Sequence, residues 1–341
     1  MVSEGRRVSM AQVAARAGVS GQTVSRVVNG SPRVDPATRA RVEEAMAELG
    51  YRPHRAARAL RTGRSHTIGL VVTTLATVGN SRTLQGVAET AAERGYALTV
   101  VTAGPTAAAI DGAFDTLRDQ GVDGLIVLNE ASALLDRDRV PGDLRLVVID
   151  APHGSPFRSV QSDHAGGAAA ATGRLLALGH PSVDHLAGPE GSYAAAERER
   201  GWRETLERAG IAAPPVVRGD WSADSGYAAA SALATAGAVF CANDQMALGL
   251  IRGLTESGRR VPEDVSVVGF DDVPDAANYR PPLTTVRQDF TALARTAVAA
   301  LVADIEAAPA PAASVIPTEL VLRESAAAAS FGAAVSPHPP R

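Results

Sequence analysis

The chain has 341 residues, 45% hydrophobic and 21% charged, a globular composition with room for about two domains. Its single cysteine, Cys241, excludes an internal disulfide and a cysteine zinc cluster, and fits a reducing compartment. The net charge of −4 is uneven: residues 1–64 carry 12 arginines against 5 acids, a net +7, and the remainder is −11.

A small basic block on an acidic body fits a nucleic-acid-binding head or a solubilising tail, so the pattern inside the block decides. Ser9 is a good N-cap, Val13, Ala14 and Ala17 share one helix face, and Gly18 stops that helix. Ser20 caps a second helix, Gly21 to Val28, which Asn29-Gly30 ends. Asp35 caps a third with Pro36 in its first turn; Val42, Ala45, Met46 and Leu49 form its buried stripe and Gly50 closes it. Two short helices joined by a tight turn, with a third behind, is the helix-turn-helix arrangement. On its second helix Gln22 suits adenine and Arg26 guanine, although Arg26 alone is equally a solvated charge. Thr23, Ser25 and Asn29, with Ser20 at the helix start, are placed to reach phosphates.

Arg52, Arg55, Arg58, Arg61 and Arg64 recur every third residue, with Ala56, Ala57, Ala59 and Leu60 between. This is either a charged linker or a short helix over 51–66 that brings arginines to phosphates and a small apolar wedge to the minor groove.

From Thr67 the period changes. Strands are predicted at Ile68 to Val72, Ala97 to Val101, Gly124 to Leu128 and Leu146 to Asp150, and helices at Thr83 to Arg94 and Ile110 to Gln120. The alternation restarts with helices at Asp163 to Leu178, Ala194 to Ala209, Asp224 to Thr235 and Gln245 to Ser257. Strands fall between them at Val183 to Ala187, Val239 to Ala242 and Val265 to Phe270. A helix at Phe290 to Glu306 and a strand near Glu319 to Leu322 follow Pro281-Pro282. The reading is an α/β body of two lobes with parallel sheets, behind an all-helical head.

Ligands of such sheets sit beyond the carboxyl ends of the strands. Asp150, Asn243-Asp244 and Asp271-Asp272 fall there, with Trp221 in a loop and Arg198 early in a helix. Carboxylates, amides and a guanidinium suit sugar hydroxyls, and an aromatic face suits a pyranose ring. Asp244 and Asp272 are equally helix caps. Glycine-rich phosphate loops, a Gly-Lys-Ser/Thr element and His-Glu-x-x-His are missing, lysine is absent altogether, and Cys241 reads as a buried apolar residue. No enzyme activity, catalytic residue, metal or cofactor is expected, and no membrane span or secretory leader.

The stretch Ala11 to Ser20, then Thr23 to Gly30, and Leu49 to His54 followed by Ala57-Arg58, resembles the LacI/GalR family of bacterial transcriptional repressors. The resemblance runs over about 7 to 325. Within the family the body looks most like the galactoside-responsive members. Gly219 to Ala223, Ala242 to Gly249, Val265 to Asp272, Pro281 to Val286 and Gln288 to Phe290 carry this. The resemblance implies a head at 1–50, a hinge helix at 51–66, a periplasmic-binding-protein-like core at 67–325 and a disordered tail at 326–341. The lobes would be 67–152 with 286–325, and 153–285. It makes Leu60 the wedge at the operator centre and places Arg55 and Arg58 beside it. It puts effector contacts on Asp150, Arg198, Trp221, Asn243 and Asp271, and adds Thr73, Gln288 and Phe290.

The implied protein is a cytoplasmic, nucleoid-associated homodimer on a pseudo-palindromic double-stranded operator, released by a galactoside-like sugar. The alternatives are another sugar, a corepressor, or a sugar-binding protein without a DNA role. Three features depart from the pattern: Gly21 replaces a base-contacting tyrosine, 74–83 matches poorly, and the C-terminus lacks the leucine heptads of a tetramer.

Overall fold

The computed structural model describes residues 8–28, 30–51, 63–135, 140, 142, 144–152, 154–309 and 315–329. The chain forms two compact units, Met1–Ser65 and His66–Arg341.

The first unit contains α1 (Met10–Ala17), α2 (Gly21–Val28) and α3 (Pro36–Leu49). Ser9 and Gln12 close a reciprocal capping box at the start of α1, and Gly18 ends it at φ +66°. Ser20 Oγ accepts from Thr23 N (3.1 Å) at α2, and Asp35 accepts from Thr38 N (2.9 Å) at α3. Among the described residues its buried core is valine and alanine: Val13, Ala14, Ala17, Val24, Val27, Val42 and Ala45. Met46 and Leu49, expected in the buried stripe of α3, are only half-buried beside it.

The second unit opens with β1 (Thr67–Val72), α4 (Val78–Glu93), β2 (Ala97–Thr102), α5 (Ala107–Asp119), β3 (Gly124–Leu128), a 3-10 turn at Asn129–Leu134, β4 (Arg145–Ile149) and β5 (Arg158–Ser162). It continues through α6 (His164–Ala177), β6 (Asp184–Ala187), α7 (Tyr193–Arg208), β7 (Val217–Arg218), α8 (Ala223–Ala228), β8 (Ala238–Cys241), α9 (Asp244–Glu256) and β9 (Ser266–Asp271). It ends with a 3-10 turn at Pro274–Asn278, β10 (Thr284–Gln288), α10 (Phe290–Glu306), β11 (Val315–Ile316) and β12 (Thr318–Val321). One sheet has the order β11-β5-β4-β3-β1-β2, the other β12-β10-β9-β8-β6-β7. All pairings are parallel except β10 with β12.

Both sheets are covered on both faces, so β1, β3 and β8 are almost wholly apolar. In the first, Ile68, Leu70, Ile126 and Leu128 meet α4 and α10, while Val71, Leu125 and Val127 meet Ile110, Phe114 and Leu117 of α5. In the second, Phe240, Val268 and Phe270 pack under α6 and α7, and Val239, Cys241 and Val267 under α9. Cys241 is fully buried, as expected, and burial pushes its thiol pKa up.

The expected lobe boundaries need correction. Arg158–Ser162, assigned to the second lobe, is β5 of the first sheet; Thr284–Gln288 and Thr318–Val321 belong to the second, although 286–325 was assigned to the first. The chain crosses between sheets three times, at residues 162–164, 288–290 and 316–318. These segments lean on one another: Asp163 N donates to Ile316 O (2.8 Å) and Thr318 Oγ1 to Asp163 O (3.2 Å).

The expectation of a tail from 326 also changes. Ala327 N donates to Ser266 Oγ (3.0 Å) and Ala329 N to Leu178 O (2.9 Å), while Ser325 Oγ bridges Thr284 N and Val267 O. Residues 326–329 are therefore stitched to the second lobe; 330–341 lie outside the described residues. No described helix is long and apolar enough to cross a membrane.

Candidate functional site

Strand ends of both sheets converge on one cavity. Seven of the eight expected contact residues line it: Asp150 after β4, Arg198 on α7, Trp221 after β7, Asn243 after β8, Asp271 ending β9, Gln288 ending β10 and Phe290 opening α10. Thr73 does not line it. Helix α4 begins at Val78 rather than at the expected Thr83, and its first turns supply Thr77, Val78, Gly79 and Thr83 to the wall instead.

Asn129, Glu130, Ala194 and Leu293 complete the lining and were not anticipated. Asn129 and Glu130 directly follow the apolar run of β3, so the strand-end rule that selected Asp150 also points to them.

Backbone strain collects here. Among the described residues with positive φ other than glycine are Asn129 (+46°), Asp150 (+58°), Trp221 (+75°) and Asp271 (+114°), all in the cavity wall, and Asp272 (+53°) next to it. Such conformations persist only where the surroundings enforce them, and they cluster at ligand sites.

Arg198 organises the polar wall. Its Nε donates to His164 Nδ1 (3.3 Å), Nη1 donates to Ala242 O, and Nη2 lies 3.5 Å from Asp271 Oδ1. The guanidinium stacks over Phe270 at 3.9 Å and lies 5.4 Å from the Trp221 ring. Burial lowers its pKa, opposed by Asp271 and Asp150. Burial raises that of Asp271, opposed by Arg198 and by Gln288, whose Nε2 donates to Asp271 Oδ1 (2.7 Å). The imidazole of His164, at the start of α6, also reaches Asp150: Nε2 is 3.0 Å from Asp150 Oδ1. One ring thus joins an acid of the first lobe to an arginine of the second.

Asn243 caps α9 by accepting from Met246 N (2.9 Å), and its Nδ2 donates to Trp221 O (3.0 Å) and Gln245 Oε1 (3.0 Å). The cap therefore fixes the tryptophan loop. Gly188 lies so close beneath the indole that a Cβ there would collide with the ring. Asp244 and Asp272, alternatives for capping, do neither capping nor lining. Asp244 is buried and accepts from Val273 N (2.8 Å) and Thr285 Oγ1 (2.6 Å); burial and nearby Asp271 push its carboxyl up to about 8. Asp272 accepts from Arg287 (2.7 Å) and Arg323 (2.6 Å), which outweigh its burial and hold its pKa low.

In the first unit, Gln22 and Arg26 are exposed one turn apart on α2, away from buried Val24 and Val27. The Ser20 and Thr23 hydroxyls are 3.0 Å apart, and Ser25 is half-buried. Asn29, Arg55, Arg58, Leu60 and most of the expected hinge lie outside the described residues. No group of three or more metal-ligating side chains occurs among the described residues.

Two family models match: bacterial regulatory proteins of the lacI family over residues 9–54, and the periplasmic binding protein-like domain over 172–326. The chain is 37% identical to the lactose operon repressor of Escherichia coli over 326 residues, covering 93% of this chain and 90% of that one. It is 39% identical to the transcriptional regulator CelR of Thermobifida fusca over 340 residues, with 94% and 98% covered. Among solved structures, a lac repressor dimer bound to operator and the anti-inducer ONPF matches with a TM-score of 0.86 at 36% identity, covering 95% of this chain and all of that one. A CelR–cellobiose complex matches with a TM-score of 0.68 at 36% identity, covering 94% and 100%. With a helix-turn-helix head, two parallel-dominated sheets and near full-length identity to these repressors, the chain belongs to the LacI family of bacterial transcriptional regulators.

Proposed function

We propose that this protein is a sugar-responsive repressor that holds a pseudo-palindromic operator as a homodimer and leaves it when a galactoside-like inducer fills the cavity. The carrying observation is that one cavity gathers Asp150, Arg198, Trp221, Asn243, Asp271, Gln288 and Phe290 from both lobes of a chain that also has an exposed Gln22–Arg26 face. The polar set orients hydroxyls, and the indole and Phe290 cover a ring face. An effector touching both lobes stabilises one lobe arrangement, and operator the other. Effector and operator then oppose each other through their differential affinities. The protein acts where the chromosome is, in the cytoplasm, and turns over no substrate.

The second reading keeps this mechanism with a β-glucoside inducer. The similarity to CelR, whose solved complex contains cellobiose, supports it.

The test is fluorescence anisotropy of labelled duplex from upstream of the protein's own gene, titrated at fixed salt. Release by a non-hydrolysed β-galactoside is the expected result. Release by cellobiose alone selects the second reading. Tight binding indifferent to both sugars overturns the sugar assignment, and no binding to that duplex or any pseudo-palindrome overturns the repressor reading.

A further inference from the structure

Arg198, Asn243, Gln288 and Asn129 each already give hydrogen bonds within the protein, whereas several buried acceptors of the cavity receive none among the described residues. Arg198 is committed to His164, Ala242 O and Asp271. Asn243 Nδ2 serves Trp221 O and Gln245, and Gln288 Nε2 serves Asp271. Asn129 Nδ2 donates to Asn80 Oδ1.

Glu130 Oε2 and Asn129 Oδ1, by contrast, are buried atoms of the cavity-lining residues with no hydrogen-bond partner among the described residues. Asp150 Oδ1 has only the His164 edge at 3.0 Å. Charge leans the same way: the wall carries three carboxylates, Asp150, Asp271 and Glu130, against the single guanidinium of Arg198, with buried Asp244 behind Asp271 and Arg82 over Phe290 at 5.6 Å. Buried carboxylate oxygens without donors are unfavourable until a donor arrives, most of all a charged one. A neutral hydroxyl brings one donor and more acceptor capacity, whereas an ammonium brings donors only.

We infer that the effector is an amino sugar, a glycoside carrying a protonated amine that Glu130 and Asn129 receive beside Asp150. This rests on the sugar-effector reading and narrows it. Glu130 becomes the residue that separates amine from hydroxyl.

Calorimetric titration of the full chain at pH 6.5 tests it with two matched pairs: galactosamine against galactose, and 2-aminoethyl against 2-hydroxyethyl β-D-galactopyranoside. At least one amine is expected to bind about tenfold more tightly than its hydroxyl partner. N-acetylgalactosamine, without the charge, should lose that gain. The preference should fade as pH rises past the pKa of the amine concerned, about 8 for galactosamine and higher for the aminoethyl glycoside. Glu130→Gln should erase the difference between partners. Equal or weaker binding of both amines overturns the inference and leaves the sugar reading intact, and so does a preference that survives in Glu130→Gln. Binding by none of the four overturns the galactoside reading and this one together. The wild-type comparison decides the matter even if the variant folds poorly.

Discussion

Arg198 is the residue that ties together the polar wall of the cavity. A buried guanidinium that pairs with Asp271, contacts His164 and stacks on Phe270 leaves uncompensated charge when removed. Arg198→Ala is therefore expected to abolish the sugar response in anisotropy and lower the denaturation midpoint, while the Arg26→Ala variant keeps sugar affinity and binds operator about tenfold or more weakly. Gly188→Ala acts more narrowly. The added methyl pushes the Trp221 indole out of its place, so sugar affinity should fall about tenfold or more with little change in operator binding. Seven of the eight expected contacts line the cavity. Asp150, Asn243 and Asp271 follow strands, and Arg198 and Phe290 sit early in helices, that the sequence marks clearly. Trp221 follows β7 and Gln288 ends β10, neither of which it marks, and Gln288 and Phe290 were placed by the family resemblance. Thr73 does not line it: Thr77, which caps α4, and the first turns of that helix take its place in the wall. Glu130 was overlooked because a lone carboxylate in a loop reads as a solvated charge unless the strand before it is considered.

At the level of elements, strands buried on both faces were legible as continuous apolar runs. β5 and β10 were not. The Thr, Arg and Gln side chains of β10 are accommodated by partners distant in sequence: Thr285 by Asp244, Gln288 by Asp271 and the Thr284 backbone by Ser325. Such long-range satisfaction leaves no periodic mark. β6 carries a titratable liability of the same kind. His185 is fully buried, stacked on Phe240 at 4.8 Å, and its Nδ1 bonds Phe240 O (2.9 Å); burial holds its pKa down at about 4. The unfolded chain takes up that proton near pH 6.5 and the folded chain only near 4, so this contribution is complete above 6.5 and is lost as pH falls towards 4. Urea denaturation should show the change between pH 7 and 4 to be less unfavourable by about 3 kcal/mol in His185→Gln than in the native chain, a comparison in which buried Asp244, whose raised carboxyl pKa acts in the opposite direction, cancels.

For the whole molecule, the step from basic to acidic charge falls where the two compact units divide. Among the described residues the head buries seven valines and alanines at its centre, a small core with little independent stability. Scanning calorimetry is expected to show two transitions, the smaller one first and shifted upward by operator duplex. The lobe boundaries were misjudged because a chain that crosses three times assigns neighbouring segments to different sheets, and composition does not change at a crossing. Three backbone crossings between two sheets with separate cores are the arrangement that hinge motion requires.

The burial of Cys241 makes that motion accessible to measurement. With its sulfur sealed inside β8 and no lysine in the chain, the native protein is nearly silent to both maleimide and amine-reactive dyes. Cysteines introduced at exposed Gln120 and Ser257, one on each lobe, would be the only reactive thiols. A donor–acceptor pair there would report in real time how far the lobes travel when sugar or operator is added, without first stripping the background from the molecule.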